Sequence, residues 1–334
     1  MKSKPISSAR RAQATRTSGG YHLSSEEHPP DVLVACARRA EEVGFDFITI
    51  SDHYHPWTDH QGHSPFVWGV LGAISQVTSR VPVVTAVTCP TVRTHPAVIA
   101  QAAATAAAML PGRFVFGVGT GEALNEHILG DPWPPAVVRR EMLEEAVAVI
   151  RELWTGRSVT HHGDYYTVET ARVYTLPEEP PPIVVSAFGP HAARLAGRIG
   201  DGFMGASPDA DLRRTFEEAG GTGKPCYGKL DVCVAASEQD ARRIAHQTWP
   251  TSALGGELGQ VIPLPAHYEQ AVAKVTEEQV AQAIVCDLDP DRHAAAVREY
   301  ADAGYDRVTV QQCGPDQDRF FRFYGSDVLP RARG

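Results

Sequence analysis

Residues 40–50 read A-E-E-V-G-F-D-F-I-T-I, and residues 301–310 read A-D-A-G-Y-D-R-V-T-V. Each is the tail of a helix, a glycine suited to the left-handed position past a helix end, an aspartate, and a short β-branched run. A looser copy, I-G-D-G-F-M, fills residues 199–204. A repeated helix–Gly–Asp–strand unit means parallel strands joined by helices, because a parallel neighbour is reached only through a crossover. Further apolar runs at 81–87, 113–118, 183–187, 230–235 and 307–311 are predicted as strands covered on both faces. Helical patterns lie between them at 96–110, 136–154 and 290–303, the last opening on a D-P-D capping signal. Such units recur from about residue 19 to the end without a linker, and the Gly- and Pro-rich stretch 249–275 reads as an insertion. The fold expected is an α/β (β/α)8 TIM barrel over 19–334, with an open doubly wound sheet as the alternative. The echo between the first and last units favours closure, since a closed barrel makes them neighbours.

The 334 residues carry a formal charge of -9, which argues against a general binder of nucleic acid or anionic membrane. No apolar run approaches a membrane span. Residues 1–18 are basic (Lys2, Lys4, Arg10, Arg11, Arg16) and lack the apolar middle of a secretory signal, so they are expected to form a loose arm. Six cysteines are scattered without C-x-x-C spacing, as in a cytoplasmic protein with reduced, buried thiols.

In such a barrel, chemistry belongs at the C-terminal ends of the strands. Three segments fall there: S-D-H-Y-H-P-W at 51–57, T-C-P-T at 88–91, and G-V-G-T-G-E-A-L-N-E at 117–126. A glycine-rich turn ending in glutamate lets a flat ligand approach the backbone and offers a carboxylate at its edge. Taken singly, each segment has a plainer reading. G-x-G-x-G lacks the third glycine of a dinucleotide fingerprint and stands equally for a tight turn. His53, His55, His60 and His63 have no matching carboxylate pattern, so no metal is expected. Trp57 suits a core anchor, His161 and His162 a surface, and Trp154 packing. The functional reading rests on convergence: polar clusters at three strand ends share one mouth.

The combination of S-D-H-x-x-P-W, C-P-T and G-V-G-T-G-E-x-L-N-E resembles the luciferase-like superfamily. Within it, the chain is similar to the branch that uses the deazaflavin coenzyme F420 and includes F420-dependent glucose-6-phosphate dehydrogenase. The likeness runs from about Gly20 through S-A-F-G-P (186–190) and G-D-G-F (200–203) to the C-terminal D-V-L-P-R. It implies that Asp52 contacts the ring-and-ribityl portion of the cofactor and that His53 stands beside its reactive carbon. Trp57 and Glu122 would face the substrate, His53, Trp57 and Glu122 being the catalytic set. Cys89, Thr120, Gly121, Asn125 and Ser186 would line the cofactor site. Ala86-Val87 would form a non-proline cis bulge under the ring, and Gly189-Pro190 would meet the cofactor phosphate at a helix N-terminus. Glu26, at the end of the first strand, and Ser207 would lie on the substrate side. The first strand, S-G-G-Y-H-L, departs from the pattern by being polar.

The implied reaction is hydride transfer from an alcohol carbon to the deazaflavin, with His53 as the base for the hydroxyl proton and Glu122 as a proton source for the ring. An FMN-dependent monooxygenase and a flavin-binding protein without activity are the competing expectations. Where the glucose-6-phosphate members present a threonine and a lysine to the phosphate, this chain has alanine and aspartate, within residues 204–209. The segment 280–285 supplies no lysine either. An uncharged alcohol or free sugar is therefore expected over a sugar phosphate, unless Arg292 or Arg319 reaches in. A homodimer is expected, as is usual among relatives of this barrel.

Overall fold

Gly44 and Gly304 both adopt left-handed backbone, at φ 95° and 89°, and end the helices before them. The aspartates two residues on have a further use. Asp46 Oδ2 accepts from Gly19 N at 2.9 Å, Asp306 Oδ2 from Cys226 N at 2.7 Å, and Asp201 Oδ2 from Ile183 N at 2.9 Å. Each repeated aspartate thus gives an N–H at the start of a neighbouring strand its acceptor. The third copy differs in its glycine: Gly200 has φ -90°, so its helix ends without the left-handed turn.

The computed structural model describes residues 17–333. Its strands are β1 (Ser18–Leu23), β2 (Phe47–Ile50), β3 (Val83–Thr85), β4 (Phe114–Val118), β5 (Val159–His162), β6 (Thr167–Ala171), β7 (Ile183–Ser186), β8 (Gly202–Gly205), β9 (Cys226–Val232) and β10 (Arg307–Gln312). β5 and β6 form an antiparallel hairpin. The other strands close in parallel in the order β1-β10-β9-β8-β7-β4-β3-β2. β1 is the closing strand, pairing with β10 (Ser18↔Arg307) and with β2 (Gly20↔Phe47). The closed barrel overturns the open-sheet alternative. Residues 1–16 of the expected arm lie outside the described residues, and Ser18, placed in that arm, opens β1.

Helices clothe the barrel: α1 (Pro30–Val43), α2 (Val67–Val77), α3 (Pro96–Met109), the short α4 (Ala123–Glu126), α5 (Ala136–Leu153), α6 (Pro190–Ile199), α7 (Ala210–Phe216) and α8 (Glu238–Thr248). The stretch read as an insertion carries α9 (Leu258–Val261) and α10 (Pro265–Val272), with α11 (Glu277–Val280) just beyond it. α12 (Pro290–Asp302) and α13 (Gln317–Phe323) follow. α3 shows how locally these helices are specified. Pro96 sits at its first turn, His95 Nδ1 accepts from Ala97 N at 3.1 Å, and alanines fill its core face.

The main core lies between helices and barrel, while Phe47, Val84, Val115, Val184, Met204 and Tyr227 fill the barrel's interior. The polar first strand is explained here. A Cβ on Gly20 would collide with the Phe47 ring, so β1 gives up a side chain to let Phe47 plug the barrel. The strand predicted at 230–235 begins earlier, at Cys226. Chain beyond Val232 has left the ladder, and Val232 itself also bridges Val285. Trp154 packs as expected, its Nε1 donating to Ala100 O at 2.9 Å, and His161 lies 3.0 Å from Glu145 on the hairpin.

Candidate active site

Every barrel strand except β1 contributes lining, directly or through the loop that follows it, to one cavity of about 570 Å³ at the C-terminal mouth. Lining comes from Asp52 and His53 after β2, from Ala86, Val87 and Cys89 after β3, and from residues 119–122 and Asn125 after β4. Ser186 ends β7 and Gly189 and Pro190 follow it, while Lys229 and Thr309 rise from β9 and β10.

The Ala86-Val87 peptide is cis. Opposite it the glycines are sterically required. A Cβ on Gly119 would sit 2.7 Å from Val87 Cγ2, and one on Gly121 (φ 76°) 2.5 Å from Cys89 Sγ. This slot between backbone segments has the form a flat ring needs, and the volume falls in the range of small-molecule sites.

The charged end is built from the loops after β1, β2 and β4. Glu26, buried, accepts from Ser24 Oγ (3.0 Å) and Ser51 Oγ (2.7 Å). His53 Nδ1 donates to His55 O at 3.2 Å, which turns Nε2 toward two carboxylates, Glu26 Oε1 at 3.3 Å and Glu122 Oε2 at 3.6 Å. Burial would raise the Glu26 carboxyl, yet the His53 and His22 rings and the Ser51 hydroxyl outweigh it and hold its pKa below the ordinary value. Glu122 goes the other way: burial raises its pKa, His53 opposes that, and the Glu26 charge adds to the rise. One carboxylate kept ionised and one pushed toward its neutral form share a single imidazole nitrogen.

Asn125 fixes the loop that carries His53. Its Oδ1 accepts from Tyr54 N (2.8 Å) and His55 N (3.2 Å), and its Nδ2 donates to Glu122 Oε2 (3.1 Å). Asp52 is held by Thr88 Oγ1 (2.8 Å) and Arg93 Nη2 (3.0 Å), and Arg93 N donates to Glu126 Oε2 at 2.6 Å. Beneath the cavity His22, Thr49 and Thr309 form a hydrogen-bonded chain with 2.8 Å links. Burial, and then the Lys229 charge, lower the His22 pKa to about 3, so that ring is neutral.

Three expected residues stand apart from the lining: Glu26, which meets the site through His53, Trp57 and Ser207. Trp57 packs behind His53, ring centroids 5.2 Å apart, and meets Tyr268 of α10 edge-on at 5.2 Å. Ser207 is exposed beyond Ala206, which is the last residue of that loop to line the cavity. Arg292 and Arg319 pair with Asp287 and Asp316 and do not line it either. The cations the cavity does hold are Arg139, Arg140 and Lys229. Lys229, missed by the sequence reading, is ion-paired to Asp231 at 2.5 Å. Its signal was the true start of β9, three residues before it.

Residues 10–307 match the family described as luciferase-like monooxygenase. The chain belongs to the luciferase-like family. Among curated members, it is 38% identical over 325 residues to an F420-dependent glucose-6-phosphate dehydrogenase of Microbacterium testaceum, covering 94% of this chain and 97% of that protein. A protein of the same name from Nakamurella multipartita is 40% identical over 329 residues, covering 94% and 96%. Among solved structures, an F420-dependent secondary alcohol dehydrogenase in complex with an F420-acetone adduct superposes with a TM-score of 0.89 at 30% identity, covering 96% of this chain and all of that one. The F420-dependent tetrahydromethanopterin reductase of Methanopyrus kandleri (TM-score 0.76, 21% identity, 94% and 99% covered) shares the luciferase-like fold.

Proposed function

We propose that the chain is an F420-dependent dehydrogenase that oxidises an uncharged alcohol or free sugar at the barrel mouth. The observation that carries this reading is His53 Nε2 poised between Glu26 and Glu122 at the edge of the glycine-lined slot. Relatives named F420-dependent glucose-6-phosphate dehydrogenase and F420-dependent secondary alcohol dehydrogenase support F420-dependent dehydrogenation, and the alcohol dehydrogenase supports an uncharged substrate. Ala86, Val87, Cys89, Gly119, Thr120, Gly121 and Ser186 would hold the deazaflavin ring, Asp52 its ring-and-ribityl portion, and Gly189-Pro190 its phosphate. The bound coenzyme supplies a two-electron hydride acceptor.

The protein's part is to orient the alcohol and to move protons. His53, its Nδ1 committed to His55 O, takes the hydroxyl proton on Nε2 as the C–H hydride leaves the same carbon, and a carbonyl product remains. Glu26, held ionised, stabilises the imidazolium that forms. Glu122, its pKa raised by burial, would serve as the proton donor toward the bound ring. Trp57 walls the site behind His53.

Lys229 favours a second reading, a sugar phosphate as substrate, because it is a cation in the cavity wall. Its pairing with Asp231 weakens that reading, since a dianion would meet a pair already neutralised. Loss of deazaflavin absorbance with glucose, simple secondary alcohols and glucose 6-phosphate compared side by side separates the two. Turnover with the uncharged alcohols and little with the phosphate is expected, and a strong preference for glucose 6-phosphate would refute the uncharged-alcohol reading.

The chain is also proposed to act as a two-fold dimer in the cytoplasm. Phe66, Trp68, Val98 and Met109 line an apolar groove along α2 and α3, with Phe66 72% exposed. The six cysteines are unpaired, as suits a reducing compartment. Among the described residues no helix is long and apolar enough to cross a membrane. Sedimentation at micromolar concentration should return twice the chain mass; a monomer mass rules the dimer out.

A further inference from the structure

The cavity has a second charged region that the reaction above leaves unused. α5 opens on Pro135, which offers no side-chain cap, so its first-turn amides have no side-chain acceptor. Arg139 lies at that end, lines the cavity and is only 4% exposed. Its Nη1 donates to Pro134 O at 2.7 Å and its Nη2 to Gln260 Oε1 of α9 at 2.9 Å, while its guanidinium lies 4.5 Å above the Trp133 ring. Its Nε has no partner, and among the described residues it forms no ion pair. The side chain of Arg140, half-buried on the same wall, has neither hydrogen bond nor ion pair among the described residues. Four carboxylates share this lining: Asp52, held by Thr88 and Arg93, Glu122 beside His53, and Glu126 and Glu257. Glu126 is engaged by Arg93, and Glu257 is exposed at the rim.

A guanidinium withdrawn from water without a counter-ion is costly, and two adjacent ones repel as well. An anion bound beside them relieves both penalties: Arg140 offers a free planar fork, the α5 terminus its open amides, and Arg139, whose Nη atoms are engaged, its charge. α6 offers its own open N-terminus at Gly189, on a different helix. The cavity therefore has two separate places for negative charge.

We propose that Arg139, Arg140 and the N-terminus of α5 form a second anion subsite, which takes a carboxylate of the acidic tail that coenzyme F420 carries beyond its phosphate. This rests on the F420 reading above. Gln260 makes the subsite a joint between barrel and insertion, since it holds Arg139 from α9.

The test is a titration followed by quenching of intrinsic tryptophan fluorescence, with three probes: F420 with its glutamate tail, a ribityl-phosphate deazaflavin without the tail, and the neutral ribityl deazaflavin. R140Q and R139Q should each weaken F420 binding about tenfold and leave the two tail-less probes within about twofold of wild type. The salt dependence of F420 binding should also fall in both variants. R140Q keeps the test decisive should the buried R139Q fail to fold. Equal losses for F420 and the phosphate probe would overturn the proposal, placing the arginines at the phosphate or making them a brace for the insertion. Unchanged F420 binding in R140Q would overturn it too. Wild-type protein that binds none of the probes refutes the cofactor reading, and this subsite with it. Wild-type protein that binds F420 no better than the phosphate probe refutes the subsite alone.

Discussion

His53 is a residue whose surroundings decide its chemistry. Its Nδ1 is tied to a backbone carbonyl, and its other nitrogen faces two carboxylates of opposite tendency. Replacing His53 by Ala, or Glu122 by Gln, should lower turnover about 10²–10⁴-fold while F420 affinity changes far less, because both are assigned to proton transfer. Single-turnover rates and equilibrium titrations on the same preparations measure the two effects separately. Variants that keep near wild-type turnover at saturating alcohol would remove both from the mechanism. These residues could be read from sequence because each follows a strand end directly, in S-D-H and in G-T-G-E. Arg93, Lys229 and Arg139 could not be. Arg93 owes its role to Asp52 on another loop, Lys229 to which face of β9 looks inward, and Arg139 to a glutamine in the insertion. A lone basic residue gives no local sign of such distant partners.

At the scale of elements, the helix–Gly–Asp–strand unit was legible because its parts act locally: glycine ends the helix, and the β-branched run extends. The aspartate's use was hidden, since its partner is an amide at the start of another strand, distant in sequence. Asp306→Ala should cost about 1–3 kcal/mol by leaving Cys226 N without its acceptor, read as a lower denaturation midpoint with unchanged slope. An unchanged midpoint would mean that water replaces the carboxylate at no cost. Among the strands that escaped the sequence reading, two illustrate a shared reason. The front of β9 (Cys226-Tyr227-Gly228-Lys229) and the hairpin strand Val159–His162 are polar or glycine-bearing, so neither shows an apolar run. β9 gives up a side chain at Gly228, where a Cβ would strike the Tyr300 ring.

For the molecule as a whole, stability is tied to pH by carboxylates buried where distant segments meet. Glu27, at the end of the first βα loop, accepts from Trp249 Nε1 (2.5 Å) at the insertion and from Gly314 N (2.7 Å) after β10. Burial raises its pKa to about 7 despite those two donors, and burial likewise raises Glu126 to about 7 although Arg93 opposes it. The native state therefore holds these protons to higher pH than the unfolded chain, whose carboxyls titrate near 4.5. Their contribution is fully present below that value and is lost as pH rises through about 7. Denaturation midpoints should fall between pH 5 and roughly 7.5, and Glu27→Gln should flatten part of that slope. A midpoint that rises steadily across the window would contradict the assignment. The closing role of β1 has a consequence for how the protein is made. Its partner β2 leaves the ribosome soon after it, but its other partner, β10, is translated near the end. At about 5–20 residues per second, the nascent sheet spends tens of seconds with open edges before the last strand can seal it. A chain stalled before Arg307 keeps those edges exposed, and for that interval it depends on chaperones rather than on its own closure.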